Sequence, residues 1–183
     1  MSEPQVSAAE LRALIDKQAI TEVILSYSRA VDRGDEALLR ACYHDDAVED
    51  HGGSFLGAAN DYIAAILPAL HGDRLMTHTV TNILIELEGP TAARSECYYL
   101  SFARYPAADP PYETLTLARA VDRFEKRDGA WRILRRTLRW EWNREQPIHE
   151  TWARGGIGDP AILLHGGKMP DDVLYEVRGQ PRP

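Results

Sequence analysis

The sequence predicts an α+β fold in which a curved, mostly antiparallel sheet wraps helices from the N-terminal half of the chain. Apolar residues recur at three- and four-residue spacing as far as residue 71, and they alternate with polar residues from about residue 75 onward. Helices that precede a run of antiparallel strands are typical of this class. We therefore expect one domain over residues 1–142, followed by an extended Gly- and Pro-rich tail over residues 143–183 that packs on the domain or on a neighbouring subunit.

A long first helix is predicted from its two ends and its apolar face. Ser7 and Glu10 have the spacing of a capping box, in which each residue satisfies a free backbone donor of the other. Apolar residues then recur along one helical face as far as Val31. Gly34 is the residue type that commonly ends a helix in the left-handed conformation.

The remaining elements follow from caps and from a change of period. Asp35 can cap a second short helix that ends near Tyr43. A short strand and a loop are expected over residues 44–57, and a third helix over residues 58–71. The alternating pattern then predicts four strands, separated by Pro- and Gly-containing turns, at residues 75–88, 91–105, 112–125 and 130–142.

The charge of the chain argues against a nucleic-acid partner. Its 28 Asp and Glu residues outnumber 21 Lys and Arg residues, which gives a formal net charge of −7. No apolar stretch approaches the roughly 20 residues that cross a bilayer, so we expect no membrane partner and a cytoplasmic location. Cys42 and Cys97 show no disulfide or zinc pattern, and we expect two buried thiols and no metal site.

Arg136 is the first candidate functional residue. Period-two alternation places it on one face of the last strand together with Leu134, Leu138, Trp140 and Trp142. A guanidinium in apolar surroundings needs a partner, because an unpaired buried charge costs several kcal/mol in rough terms. A structural salt bridge and a catalytic role are both open at this point.

His78 is the second candidate, in a strand where Met76, Val80 and Leu84 should share its face. A hydrogen-bonded core histidine is one interpretation. The other needs a carboxylate: Asp32 lies at the end of the first helix, where the helix dipole disfavours a negative charge, so a basic partner should face it. A carboxylate on one imidazole nitrogen would leave the other nitrogen free to accept a proton.

Three segments carry a resemblance to a known family. The run ITEVILSYSRAVDRGD from residue 20, the strand MTHTVTNILIEL with His78, and the C-terminal pattern KRDGAWRILRRTLRWEW together resemble the SnoaL-like branch of the nuclear transport factor 2-like superfamily. The resemblance covers about residues 8–142. It implies a cone-shaped α+β barrel, a homo-oligomer that is usually a trimer, and a cofactor-free elimination with an Asp–His pair as base.

The resemblance also assigns roles residue by residue. The family's Asp and His fall on Asp32 and His78, its strand Arg on Arg136, and a family Tyr on Tyr27. On a regular helix, five residues separate Tyr27 from Asp32 by about 140°. Both side chains can therefore line one cavity only where the helix loosens or the cavity embraces its end.

Four further residues are candidates for substrate binding, each with a plain structural alternative. His51 follows two acidic residues but has no metal-ligand spacing, which favours a simple loop histidine as the structural alternative. Asn82 shares the predicted face of His78, as a cavity donor or as a strand-end residue. Tyr99 and Trp140 are predicted to form an aromatic wall or to pack against the helices.

These observations lead to a functional hypothesis. We expect a cofactor-independent lyase of the dehydratase type that acts on a hydrophobic cyclic or aromatic small molecule. A carbon–carbon lyase that releases a small aldehyde, or an isomerase, would use the same base. The non-catalytic alternatives are the small subunit of a ring-hydroxylating dioxygenase and a ligand-binding module.

Overall fold

The computed structural model describes residues 6–152 and 159–177. Helices occupy the N-terminal part and strands the middle of the chain, as predicted. The elements are α1 (Ala8–Arg33), α2 (Glu36–Ala41), β1 (Tyr43–His51), β2 (Leu56–Ala58), α3 (Ala59–His71), β3 (Leu75–Leu87), β4 (Ala92–Tyr105), β5 (Tyr112–Arg127), β6 (Ala130–Pro147) and α4 (Val173–Val177).

The six strands form one curved sheet in the order β2-β1-β6-β5-β4-β3. Neighbouring strands are antiparallel, except that β1 runs parallel to β6. The sheet is not closed, so the barrel implied by the resemblance is an open one. The predicted α+β class and the mostly antiparallel curved sheet are confirmed.

The caps of α1 form as predicted. The Ser7 side chain accepts from the Glu10 backbone N–H, and the Glu10 carboxylate accepts from the Ser7 N–H. Gly34 ends the helix with φ of 65°, a left-handed conformation that costs glycine little. Ile20 and Ile24 of α1 are completely buried in the core between the helices and the sheet, which fixes the helix over the concave face.

Two β-bulges change the predicted face of residues in β6. The pairing with β5 shifts between Arg123 and Phe124 and again between Leu117 and Ala118. At these two points β6 contains one more residue than β5, namely Leu134 and Glu141. A bulge reverses the alternation of the strand that carries it. Arg136, Leu138 and Trp140 therefore share the concave face, and the prediction that Leu134 and Trp142 lie beside them is wrong.

A third irregularity lies in β3. The pairing with β4 shifts between Thr81 and Leu84, and Asn82 has φ of +52°. The alternation predicted from His78 therefore stops at this bulge. Leu84 is 62% exposed, and the prediction that it shares the buried face of His78 is wrong.

The C-terminal segment starts later than predicted and packs back on the domain. β6 continues to Pro147, past the boundary expected at residue 142. The backbone N–H of Met169 donates to Arg33 O, and the Tyr175 hydroxyl donates to Asp35 at 3.1 Å. A short helix, α4, occupies Val173–Val177. No helix in the described ranges is both long and apolar enough to cross a membrane.

Candidate active site

A cavity of about 390 Å³ opens between α1, α3 and the concave face of the sheet. Tyr27 and His78 line one side of it, and His51, Tyr62 and Trp140 line another. Much of the remaining wall is apolar and includes Val31, Phe55, Ile66, Leu70 and Met76. A largely apolar hollow with a few polar groups is typical of a small-molecule site.

His78 and Asp32 are in direct contact at the wall of this cavity. Nδ1 of His78 lies 2.5 Å from Oδ1 of Asp32, and the backbone N–H of His78 donates to Oδ2 at 2.9 Å. Both side chains are nearly buried, with 11% and 10% of their surface exposed. The two bonds fix the carboxylate and the imidazole in one orientation.

This geometry determines what His78 can do chemically. With Nδ1–H donating to Asp32, the neutral ring presents Nε2 as an acceptor, the state that a general base requires. No residue in the described part of the chain forms a hydrogen bond with Nε2. His78 lines both the cavity and a separate outer hollow, whereas Asp32 lines only the outer hollow.

Tyr27 reaches the same cavity from one turn earlier in α1. The helix is regular as far as Arg33, so Tyr27 and Asp32 leave it in different directions and do not both line the cavity. Tyr27 lines the cavity directly, whereas Asp32 is connected to the cavity only through its hydrogen bond with His78. Burial raises the pKa of the Tyr27 hydroxyl, while the nearby positive charge of Arg136 acts in the opposite direction.

Arg136 has the partner that its burial demands. Its guanidinium is completely buried and binds Asp122 through Nη2 at 2.6 Å and Nε at 3.0 Å, and Nη2 also donates to the Tyr99 hydroxyl. Burial alone would lower the pKa of Arg136, but Asp122 opposes this effect, and the pKa is raised well above its ordinary value. The guanidinium is therefore a fixed positive charge inside the domain.

The position of Arg136 limits its contact with a bound molecule. It does not line the cavity but lies beneath Tyr27, with its central carbon 3.8 Å from the centre of that ring. Tyr99 is placed similarly: it is buried, its hydroxyl accepts from Arg136, and its ring meets the His78 ring edge to face at 6.1 Å. Both residues support the cavity wall from behind.

His51 belongs to a second cluster on the cavity wall. Its Nδ1 lies 2.7 Å from Glu49 Oε1, and its Nε2 lies 3.2 Å from the Tyr62 hydroxyl. Glu49 is completely buried and also accepts from the Tyr43 hydroxyl at 2.7 Å. The His51 ring stacks on Tyr62 and meets the edge of Trp140. This cluster makes His51 more than a solvated loop residue.

Of the four residues predicted to bind substrate, two line the cavity and two do not. His51 and Trp140 line the cavity, whereas Tyr99 lies behind the wall. Asn82 is exposed at the bulge of β3 and lines no part of the cavity, so its predicted role as a cavity donor is wrong. The bulge turns its side chain away from the face of His78.

Sequence reasoning missed Glu49 and Tyr62. Glu49 and His51 are two residues apart in a strand, so period-two alternation places both side chains on one face, a signal that was available. Tyr62 lies on α3, and no sequence pattern connects it with β1.

Cys42 and Cys97 are buried free thiols, as predicted. Within residues 6–152 and 159–177, no three His, Cys, Asp or Glu side chains converge as a metal site.

The SnoaL-like domain model matches residues 12–137, which is more than half of the chain. The fold agrees with this match, and the protein belongs to the SnoaL-like domain family. No curated protein matches the sequence at a significant level.

Solved structures show the same fold at low sequence identity. A putative scytalone dehydratase from Novosphingobium aromaticivorans has a TM-score of 0.66 and 23% identity, over 76% of this chain and 92% of its own. A hexachlorocyclohexane dehydrochlorinase from Novosphingobium barchaimii has a TM-score of 0.68 and 19% identity, over 78% and 98%. A protein of unknown function from Mycobacterium tuberculosis has a TM-score of 0.63 and 17% identity, over 97% and 92%. At these identities the likeness shows a shared fold.

Proposed function

We propose that this protein is a cofactor-independent lyase that eliminates water from a hydrophobic cyclic or aromatic small molecule. The observation that carries the proposal is the Asp32–His78 pair. A nearly buried carboxylate holds the imidazole so that Nε2 is free at the wall of an apolar cavity. A base with a free acceptor nitrogen in such a cavity is what proton abstraction from carbon requires.

The elimination uses one group as base and one as acid. Nε2 of His78 removes a proton from carbon, and the electrons of that C–H bond form the new double bond. The bond to the neighbouring hydroxyl group breaks, and this group leaves as water with the proton of Tyr27. Asp32 stabilises the imidazolium that forms on His78, as a carboxylate does beside a histidine base.

Arg136 supports the acid without touching the substrate. When Tyr27 gives up its proton, a negative charge develops on its hydroxyl, close to a buried guanidinium. A fixed charge in a dry interior stabilises such a developing charge more strongly than water does, because the protein does not need to reorganise. Orientation of the substrate by the apolar wall supplies the rest of the rate.

Turnover of alcohols tests the proposal. The wild-type protein and a His78→Ala variant would be incubated with a panel of cyclic and aromatic alcohols, and products would be identified by mass. Loss of water by the wild type, and not by the variant, supports the proposal. Loss of an aldehyde would move the activity to the carbon–carbon lyases. Tight binding without any turnover would show a ligand-binding module.

A further inference from the structure

The second cluster on the cavity wall points to a proton supply for Tyr27. We propose that Glu49 and His51 form a second carboxylate–imidazole pair, which returns a proton to Tyr27 through the Tyr62 hydroxyl after each elimination. This inference rests on the proposed function, because it needs Tyr27 to act as the acid. It assigns positioning and proton-relay roles to Glu49, His51 and Tyr62.

The first argument is the burial of Glu49. Its carboxylate is completely buried, and a buried carboxylate without a compensating charge costs several kcal/mol in rough terms. Arg136 lies opposite Glu49 in the β1–β6 pairing but binds Asp122 at 2.6 Å, so among the described residues one buried guanidinium serves two fully buried carboxylates. The ion-pair partner of Glu49 within 4 Å in the described part of the chain is His51, at 2.7 Å. Charge balance therefore favours the imidazolium form of His51.

The second argument is the continuity of the hydrogen bonds. An imidazolium at His51 donates through Nε2–H to the Tyr62 hydroxyl, 3.2 Å away. Tyr62 and Tyr27 both line the cavity, and in the proposed relay the Tyr62 hydroxyl donates to the Tyr27 hydroxyl. Burial raises the pKa of both hydroxyls. The Tyr27 proton is left free for a molecule in the cavity.

The relay conserves protons, and His51 is the point at which solvent can supply a proton to it. After Tyr27 has protonated the leaving group, its oxygen takes the Tyr62 proton, and Tyr62 takes the Nε2 proton of His51. His51 becomes neutral and recovers a proton from solvent, which can reach it because 17% of its side chain is exposed while Glu49 is sealed. The proton collected by His78 returns to solvent separately.

Two model substrates separate this acid function from the base. Benzisoxazoles open when a base removes the proton on carbon and a phenolate leaves. The leaving phenolate of 5-nitrobenzisoxazole is weakly basic and needs little help from an acid, whereas that of unsubstituted benzisoxazole is more basic. Both would be assayed with the wild type and with the Glu49→Gln, His51→Gln and Tyr62→Phe variants. His149→Gln, an exposed histidine away from the cavity, is the control.

The expected pattern is selective. Each of the three variants should lower kcat on unsubstituted benzisoxazole by about tenfold or more, a modest share of what a positioned acid supplies, with KM within about twofold. The rate on the nitro compound should change by less than about twofold, because the base is intact. Equal losses on both compounds would overturn the relay, and a wild type inactive on both would contradict the proposed base instead.

A measurement without substrate decides the relay independently. In 15N NMR spectra at pH 7, the wild-type His51 ring should carry protons on both nitrogens, and Glu49→Gln should convert it to the neutral ring. The Gln variant keeps the shape and hydrogen-bonding capacity of the side chain and removes only its charge. A neutral His51 ring in the wild type would overturn the proposal, whatever the activity assays show.

Discussion

Two histidine–carboxylate pairs share one cavity, and they differ in what their second nitrogen faces. His78 and Asp32 are 46 residues apart, and Nε2 of His78 has no hydrogen-bond partner in the described part of the chain. His51 and Glu49 are two residues apart, and Nε2 of His51 is bound to Tyr62. In the proposed mechanism, one pair acts as the base and the other as the proton supply. The difference between them is the environment of the second imidazole nitrogen.

The buried ion pair of Arg136 and Asp122 lies close to both histidine–carboxylate pairs. Arg136 and Asp122 are completely buried, and the Arg136 guanidinium lies against Tyr27 and bonds to Tyr99. Tyr62, which contacts His51 of the second pair, lines the cavity with Tyr27, and Tyr99 contacts His78 of the first pair. The charge of Arg136 is thus close to Tyr27, the proposed acid, and the Tyr99 ring separates it from His78, the proposed base.

The largest effect is expected from removal of the base. His78→Ala should lower kcat on the alcohol found in the screen by at least about 10² to 10⁴, the usual contribution of a positioned proton-transfer group. The measurement is the rate of water loss, with circular dichroism to show that the fold is intact. A variant that keeps the wild-type rate would remove the first pair from the mechanism.

The next effect concerns the buried ion pair. Arg136→Met leaves Asp122 buried without a counter-charge and should lower the free energy of unfolding by about 3–5 kcal/mol. The double variant Arg136→Met/Asp122→Leu replaces both charges with apolar groups and should recover most of this loss. Urea unfolding measures both. If the double variant is no more stable than the single one, packing rather than charge accounts for the loss.

A smaller effect is expected where the wall meets the second pair. Gly52 has φ of +60°, and a Cβ there would lie 2.7 Å from Nε1 of Trp140. Gly52→Ala should therefore displace the indole, raise KM and cost about 1–2 kcal/mol of stability through backbone strain. Because His78 is not affected, kcat should stay within about twofold. Gly53→Ala is the matched control: φ is +89°, but no atom lies within 4 Å of the added carbon, so its KM should not change.

The smallest response is expected from the two thiols near the ion pair. Burial raises the pKa of the Cys42 thiol to about 12 and that of Cys97 to about 11. Because these values lie above the ordinary pKa, both groups remain protonated thiols at pH 8, and the reactive thiolate is scarce. The folded protein should not react with a disulfide reagent at pH 8, and guanidinium should release two thiols. Rapid reaction in the folded state would show that water reaches the interior.

The sequence was sufficient to predict the helices, their caps and the residues of the first pair. Asp32 and His78 could be paired because each is unusual in its own element and because the family resemblance joins them across 46 residues. The strand faces were predicted correctly only within stretches that contain no bulge. Asn82, Leu134 and Trp142 all lie at or beyond a bulge, and one extra residue reverses a period-two pattern.

The second pair was less accessible from the sequence. Alternation in β1 could have paired Glu49 with His51, but the Gly-rich turn that follows made the segment resemble a loop. α3 places Tyr62 against His51 by tertiary packing. Contacts between a helix and a strand are not encoded in any local period, so only the folded chain reveals them.

The most direct test of the account is the opening of 5-nitrobenzisoxazole by the Asp32→Asn variant. Asn keeps the size of the side chain but cannot stabilise an imidazolium at His78, and no other described carboxylate contacts that ring. We expect the rate at pH 7 to fall by about 100-fold or more relative to the wild type, with unchanged circular dichroism. A variant as fast as the wild type would contradict the central claim that the Asp32–His78 pair is the base.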